Sequence, residues 1–415
     1  MIRSLRTGVL GLRSHQFRMD VIGNNIANVN TVGFRRSRVA FHDMLGQKML
    51  GIGQTIGGAS IGNGATVGSI DQAWSQGSFE YTNLATDLAL GGDGFFVVRG
   101  AEGNALTRSG NFQFNADGQL VTSNGMNVQG WAYNPDGTIN TGALQDVQIA
   151  LDATAPPEET GNVTLGGNLS ADLVPNEDGS EATMSTVVYD AQGQPHTLVL
   201  TFGMTDADTW TLTTAQIAGD PDAEPPVPAT DLTGSGIELD FDIDGNIIGP
   251  DPATIDLSGV FPGSNGDDLA ITLDIGNLTQ YGGSSTANVN AQDGQAAGRL
   301  IGYGIDPSGS LVLSFSNGEQ RAIAQLAIGT VANPNGLEQL GDNFYGLTAG
   351  AGDLVLGRAG EEINTAVISG ALETSNVDLA AEFTDMIVTQ RGYQASARVI
   401  TTSDEMLQEV VQLKR

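Results

Sequence analysis

The chain has 415 residues, enough for two or three domains, because single hydrophobic cores usually stop growing below that length. It has no cysteine and only three scattered histidines, so it predicts no disulfide, no thiolate metal site and no cofactor. The net charge of −31 is concentrated in the middle, where no Lys or Arg occurs between Arg108 and Arg299, and this excludes nucleic acid or anionic lipid as a partner of that region.

The first predicted element is a helix from about Ile2 to Ala27. Eight of the seventeen basic residues fall in the first fifty positions, which indicates either a segment that binds an acidic surface or, more simply, a helix kept soluble by its charges. The apolar residues follow the alternating three- and four-residue spacing of a coiled-coil seam. A lone helix with so narrow a stripe is marginal in water, so we expect loose order until it packs. The seam consists of Ile2, Leu5, Val9, Leu12, Met19 and Ile26.

An asparagine-rich segment ends this helix, and it contains Asn24, Asn28, Gly33 and Phe34. Asparagine tolerates left-handed backbone and hydrogen-bonds its own main chain, so the segment predicts a helix stop with a defined exit. Two interpretations stay open. Either Asn24, Asn28 and Gly33 fix the angle between the helix and the next segment, or they are ordinary capping residues.

The middle of the chain is predicted to be mostly β-strand and turn. Seven glycines between 49 and 68 indicate a linker or irregular arm. Short strand-like runs follow to about 133, and their phenylalanines 95, 96, 112 and 114 are predicted core residues because paired aromatics at period two fill a half-buried sheet. A second β section spans 150–287 and includes a proline-rich surface loop at 220–228, and a third spans 298–363.

A second helix is predicted to begin near Ser375, where Ser375 and Asp378 fit a capping box. It carries the same seam spacing as the first helix, so we predict that the two termini pair side by side and hold neighbouring copies of the chain together. Its seam consists of Leu379, Phe383, Met386, Tyr393, Ala397, Ile400, Leu407 and Val411.

Four aspartates in the second β section have the spacing of a twelve-residue calcium loop: Asp240, Asp242, Asp244 and Asp251. Their flanks have strand patterns rather than helix patterns, so a solvated hairpin turn is the favoured interpretation and no metal site is assigned. The sequence offers no nucleophile beside a histidine, and paired carboxylates are the expected background in so acidic a chain. We therefore predict that the protein is not an enzyme.

No run of about 18 apolar residues occurs, which excludes a membrane-spanning helix. The apolar stretch near the start is interrupted by Gly8, Gly11 and Arg13, and no small-residue cleavage site follows. If the protein leaves the cytoplasm, we expect export without a cleavable signal peptide.

Both ends of the chain resemble a known family. The segment from Asn24 to Arg35 resembles the N-terminal signature of bacterial flagellar rod and hook proteins, and the segment from Leu379 to Ala395 resembles their C-terminal signature. Thr107–Phe112 resembles the first β domain of that family. The acidic insertion that begins near Gly161 is similar in size and opening sequence to the one in the hook proteins.

The resemblance implies a mainly β, nested multi-domain fold with paired terminal helices and an inserted outer β-barrel or sandwich-like domain. It implies paired helices at 1–30 and 371–415 lining an inner tube, an arm at 31–70 and 360–370, an inner β domain at 71–149 and 288–359, and an outer domain at 150–287.

In function, the resemblance implies a subunit of the flagellar hook, a curved flexible tube that joins rod to filament, transmits motor torque and surrounds an export channel. The implied partners are further copies of the chain, a hook cap protein, a distal rod protein, a hook–filament junction protein and the flagellar type III export apparatus. The implied location is the extracellular hook and basal body. The alternatives are a distal rod subunit or, less favoured, a secreted calcium-binding β-rich adhesin.

Overall fold

The structure is a computed structural model that describes residues 2–44, 47–48, 60–61, 63–100, 103–150, 152–177, 179–219, 229–251, 253–260 and 268–412. Across these ranges, no helix combines the length and apolar character needed to cross a membrane. The predicted loop at 220–228 lies outside the described residues, as does most of the predicted glycine-rich arm.

Two long helices stand at the two ends of the described chain. Helix α1 spans Ile2–Ala27, as predicted. Helix α2 spans Leu379–Gln412 and begins four residues later than Ser375. The reason is local: the Asp378 carboxylate accepts hydrogen bonds from the backbone N–H groups of Ala380 and Ala381, at 2.9 and 3.2 Å, and so caps the helix at Asp378.

The chain divides into two compact units. Unit 1 comprises residues 1–151, 303–313 and 321–415, and unit 2 comprises 152–302 and 314–320. Three strands are divided between the two ranges: Gly298–Ile305, Ser310–Phe315 and Gln320–Leu326.

Unit 1 contains both helices and an antiparallel β body. A two-stranded ribbon of Ser37–Asp43 and Ala65–Gln72 packs on α1. Thr365–Ser369, predicted as part of the arm, is a strand paired with Leu88–Gly92. The other strands of unit 1 are Gln47–Lys48, Ser60–Ile61, Phe79–Tyr81, Phe95–Gly100, Gly103–Thr107, Phe112–Phe114, Leu120–Thr122, Asn127–Ala132, Gln145–Asp146, Ile328–Val331, Glu338–Gly341, Phe344–Gly346, Leu354–Gly357 and Ala371–Glu373, with a 3₁₀ turn at Pro334–Gly336.

The core of the β body in unit 1 is aromatic. Phe96 and Phe112 are fully buried and meet edge to face with ring centroids 5.1 Å apart, which confirms them as core residues. Phe95 is also buried, and it lies against Trp74 and Tyr345 at centroid distances of 5.3 and 5.9 Å. Phe114, the fourth predicted core aromatic, is only half-buried.

Unit 2 is a sandwich of two sheets. A parallel pair, Asn162–Ser170 with Asp268–Tyr281, lies at the centre of one sheet, and the other is antiparallel. Alternate residues of these strands point inwards to one apolar core around Trp210, as period-two strands require. The other strands of unit 2 are Thr154–Ala155, Glu181–Tyr189, Pro195–Asp206, Thr209–Ile217, Thr230–Asp231, Glu238–Phe241, Ile247–Gly249, Thr254–Val260 and Asn288–Gln292.

Candidate assembly interface

The two terminal helices pack against each other antiparallel, which confirms the predicted pairing. At one end of the pair the hydroxyls of Ser4 and Ser403 lie 3.1 Å apart. Towards the other end the Arg18 guanidinium donates to the Asp385 carboxylate at 3.1 Å. Residues 399 positions apart in sequence are thus brought into contact.

Small residues make the contact between the helices. A Cβ added at Gly8 would lie 2.9 Å from the Ile400 side chain and 3.3 Å from the Ser396 carbonyl oxygen. A Cβ added at Gly11 would lie 2.8 Å from Ser396 Oγ. Real Cβ atoms avoid such distances, so the helices are as close here as glycine allows. The predicted seam of α1 is not the centre of this contact.

The predicted seam residues of α1 flank the contact and are only partly covered. Leu5, Leu12 and Met19 are half-buried, and Val9 is 53% exposed. A surface stripe of large apolar residues along a helix is usually covered by a partner.

The seam of α2 is divided in the same way. Met386, Ile400 and Leu407 are half-buried, whereas Phe383 is 51% and Tyr393 40% exposed. Further large apolar side chains are exposed along α2, and these are Leu379, Ile387, Val388, Val399, Met406, Val410 and Val411.

The exit from α1 is fixed by an asparagine that sequence reasoning did not single out. Asn25 is 1% exposed, and its side chain bonds both backbone groups of Ser37, donating to the carbonyl oxygen at 2.8 Å and accepting from the N–H at 2.9 Å. Asn28 donates to the Asn24 carbonyl oxygen at 2.9 Å, which is ordinary capping, and Asn24 is exposed. The run of asparagines predicts that the helix stops, but it does not show that Asn25 is the one whose side chain bonds the Ser37 backbone.

Gly33 has the left-handed conformation that its position requires. Its φ is +69°, and a Cβ there would lie 2.8 Å from backbone atoms of Arg108 and Ser109. Its N–H donates to the Glu373 carbonyl oxygen at 2.8 Å, which joins the N-terminal segment to the strand that leads towards α2. Phe34, beside it, is half-buried.

A buried ion cluster lies next to this joint. The Glu373 carboxylate is fully buried and accepts two hydrogen bonds from the fully buried Arg35 guanidinium at 2.9 and 3.0 Å. Arg108 donates to the same carboxylate at 3.4 Å, and the Gly77 N–H donates at 2.9 Å. Burial lowers the pKa of Arg108 to about 10, with Glu373 opposing the shift, so it stays charged at neutral pH.

A second, more exposed ion cluster holds α2 to the N-terminal segment. Arg36 forms ion pairs with Glu382 and Asp385 of α2, and Asp385 also pairs with Arg18 of α1. Asn376, just before α2, accepts a hydrogen bond from the Arg36 backbone N–H at 2.7 Å. We use the name elbow for three neighbouring features together: the Gly33–Glu373 backbone contact, the Arg35–Glu373–Arg108 cluster, and the contacts of Arg36 with α2.

Known proteins that match this chain over its full length belong to one family. The chain is 36% identical to the flagellar hook protein FlgE of Borreliella burgdorferi and 36% identical to that of Treponema pallidum, over the full length of each pair. The chain belongs to the flagellar hook protein family. It is also 30% identical to the FlgE of Escherichia coli K12 over 98% of both chains.

Family models match four parts of this hook-family chain. The model described as "Flagella basal body rod protein" matches residues 5–35, and the model of the flagellar hook protein FlgE/F/G D1 domain matches residues 89–166. The flagellar basal body protein FlaE D2 domain matches 164–295. The flagellar basal body rod FlgEFG protein C-terminal matches 368–413. The chain is therefore a structural subunit of the flagellar hook, not an enzyme.

A solved structure shares the fold of the hook-family chain. The flagellar hook protein FlgE2 of Helicobacter pylori superposes with a TM-score of 0.53 over 71% of this chain and all of that one, at 17% identity. This supports the mainly β, multi-domain fold class that the sequence predicted, and the predicted terminal helices are α1 and α2.

The four aspartates with calcium-loop spacing lie along a β-hairpin: Asp240 is in its first strand, Asp242 and Asp244 are in its turn, and Asp251 follows its second strand, Ile247–Gly249. Asp240 accepts from the Thr209 hydroxyl at 3.0 Å, and Asp242 accepts from the Asn246 N–H at 2.7 Å, which lowers the pKa of Asp242. Asp244 and Asp251 are exposed. Among the described residues no three acidic or histidine side chains are placed to hold a metal ion together.

Proposed function

We propose that this chain polymerises into the curved, flexible tube of the hook, which joins rod to filament and passes motor torque around a central export channel. One observation carries the proposal: the terminal helices pair antiparallel through small residues, yet leave large apolar side chains on both helices uncovered. Isolated soluble proteins rarely expose such stripes, whereas subunits of a polymer bury them against neighbouring copies.

We assign the predicted layers accordingly. Residues 1–30 and 371–415 form the inner tube, and 31–70 with 360–370 form the connecting arm. The sequence predicts an inner β domain at 71–149 and 288–359 and an outer one at 150–287, but the strand Asn288–Gln292 pairs with Asn162–Ser170 of unit 2. We therefore extend the outer domain beyond residue 287 to the end of that part of unit 2 at residue 302. The nested order supports this assignment, because both ends of the chain converge at the elbow. The charge supports it as well: Arg299 is the only Lys or Arg of unit 2, so unit 2 is strongly acidic. Like charges on neighbouring outer domains disfavour dry adhesion and keep their contacts wet and able to slide.

The proposal extends to location and partners. The exposed apolar helices need a tube-forming partner, and further copies of the chain meet that need. A hook cap protein, a distal rod protein and a hook–filament junction protein would contact the ends of the tube. The flagellar type III export apparatus would deliver the chain to the extracellular hook without removing a signal peptide.

Removal of either helix tests the function. Chains lacking residues 1–25 or 380–415 should fail to form tubes in sedimentation and electron microscopy, while unit 2 keeps its near-ultraviolet circular dichroism from buried Trp210. The full-length chain, treated identically, is the control. Tubes formed by either truncated chain would refute the proposal.

A distal rod subunit is the second candidate, because the models that match both ends carry the rod name. Rod and hook differ in the shape of the polymer. Electron microscopy of tubes formed by the full-length chain should show curved, bendable tubes, and straight rigid ones would favour the rod.

A further inference from the structure

The face of α1 that points away from α2 carries an ordered row of charged and apolar residues. Arg6 and Arg13 lie about half a turn around the helix from the contact residues Gly8 and Gly11. Both arginines are exposed and form no ion pair within the described residues. The row, which we call the α1 outer face, consists of Arg6, Val9, Arg13, Phe17 and Asp20 at spacings of three or four residues.

The face of α2 that points away from α1 carries a complementary row. Glu405 lies two residues after the contact residue Ser403, and Arg398 lies two after Ser396, so both point to the opposite side of the helix. The exposed valines and methionine nearby are 43–49% accessible. This α2 outer face consists of Arg398, Glu405 and Glu409, flanked by Val399, Met406 and Val410.

The two outer faces cannot meet within one chain. The helices already touch through their opposite sides, where Ser4 lies against Ser403. Helix α2 also runs on to Gln412, while α1 begins only two residues before Ser4, so the end of α2 that carries Glu409 has no part of α1 beside it. A second copy is needed to bring the faces together.

We propose that the α1 outer face of one copy docks antiparallel on the α2 outer face of a neighbouring copy, in a register set by charge. This inference rests on the proposed polymer and names its inner contact. Arg6 then lies by the neighbour's Glu409 and Arg13 by its Glu405, while Asp20 lies by Arg398. The intervals Arg13–Asp20 and Arg398–Glu405 are both seven residues, about 10 Å. Arg6–Arg13 is also seven residues, whereas Glu405–Glu409 is four, about 6 Å, and the difference is within the reach of an arginine side chain.

The charge row also disfavours the wrong register. A slip of one heptad would place Arg13 against Arg398, and juxtaposed like charges are costly at an interface. The apolar residues supply adhesion in the matched register: Val9 and Phe17 are 53% and 42% exposed, and the Arg13 guanidinium already lies 5.9 Å above the Phe17 ring. An anionic partner such as nucleic acid would meet the neighbouring acidic residues, so a second copy fits both faces best.

Paired charge reversals in the full-length chain test the contact. One variant carries Arg6→Glu with Arg13→Glu, and the other carries Glu405→Arg with Glu409→Arg. All four side chains are exposed, so both variants should keep the wild-type circular dichroism and melting curve. Each variant alone should need at least about ten times more protein than wild type to form tubes, because like charges now face each other.

Mixing the two charge-reversal variants is the decisive experiment. An equimolar mixture of the two variants should form tubes near the wild-type concentration, with both variants present in equal amounts, because alternating copies restore opposite charges at every contact. A chain carrying all four changes should also assemble. Reversing two exposed acids of unit 2, Glu181→Arg with Glu238→Arg, gives the same change in net charge as the α2 variant and should not weaken assembly as that variant does.

Two results would overturn the contact. The first is normal assembly of each variant alone. The second is rescue by the four-change chain but not by the mixture, which would place the contact within one chain. Either result leaves the hook function standing provided that wild type forms tubes and the helix truncations do not, so the two proposals fail separately.

Discussion

Glu373→Gln is the sharpest test of the elbow, because one carboxylate there holds two buried arginines. Arg35 and Glu373 are completely buried and Arg108 is 5% exposed, so water cannot replace the lost charge. Glutamine keeps the size of the side chain, but it offers one oxygen and two N–H donors to a ring of donors from Arg35, Arg108 and Gly77.

The expected loss is large. Removing one partner of a buried ion pair costs about 3–5 kcal/mol, since it leaves uncompensated buried charge, and here two positive charges are left. A natural domain has roughly 5–15 kcal/mol of stability in total, so unit 1 should be severely destabilised. Unit 2 has a separate core and should keep its stability.

Hydrogen–deuterium exchange read by mass spectrometry measures both units in one experiment. In Glu373→Gln, amides of the strand Phe95–Gly100 should lose protection by at least about a hundredfold, since each tenfold corresponds to 1.4 kcal/mol. Those of Thr209–Ile217 in unit 2 should not change. The matched control is Glu362→Gln, which breaks a half-exposed pair with Arg358. Equal effects of the two substitutions would refute the reasoning.

Three further substitutions probe the joint and the helix pair. Gly33→Ala should cost about 1–3 kcal/mol in a urea titration, because its left-handed φ and close backbone neighbours leave no room for a Cβ; an unchanged midpoint would contradict this. Asn25→Ala should lower the melting temperature by the loss of two buried hydrogen bonds, roughly 2 kcal/mol, whereas exposed Asn24→Ala should not. Burial, reinforced by a neighbouring arginine, lowers the pKa of His15 below 6.5, so its neutral form stabilises the helix pair fully above that pH and this contribution is lost as the pH falls through the lowered value. His15→Gln should therefore flatten the fall in thermal stability that occurs as the pH drops below 6.5, and an unchanged pH dependence of the melting temperature would contradict this.

The helices could be predicted from sequence because their signals are local. The seam spacing and the asparagine stop gave both bounds of α1 as observed. The start of α2 was placed four residues early, since Ser375 and Asp378 are both good capping residues and only the structure shows that Asp378 receives the amide hydrogens at the helix start. The hairpin of Glu238–Phe241 and Ile247–Gly249 was likewise predicted from its strand-like flanks.

The way the helices touch could not be predicted, because hydrophobic periodicity does not say which partner covers a residue. The seam residue Val9 is apolar, yet it is more than half exposed in one chain, while Gly8 and Gly11 lie against α2. Close helix approach is decided by the smallest side chains, which a search for apolar residues passes over. The apolar seam is then best explained as surface for neighbouring copies.

The elbow was beyond sequence reasoning for another reason. Arg35 and Glu373 are 338 residues apart, and nothing in the local pattern of either residue names the other. The one available signal was Arg35 itself, which directly follows the Gly33–Phe34 exit in a chain with few basic residues. A basic residue at a structured exit is a candidate for burial with an acid, but the acid has to come from the fold.

The elbow and the outer faces of the helices have opposite physical requirements, and this bears on how a hook can bend without losing torque. Within one copy, the buried Arg35–Glu373–Arg108 cluster and the Asn25 hydrogen bonds fix the angle between the helix pair and the β body, so a twist applied to one is passed to the other. Between copies, the proposed contact consists of exposed charges and half-exposed apolar residues, which are individually weak and can exchange partners. Rigidity is thus placed inside the subunit, and compliance is left to the surfaces between subunits.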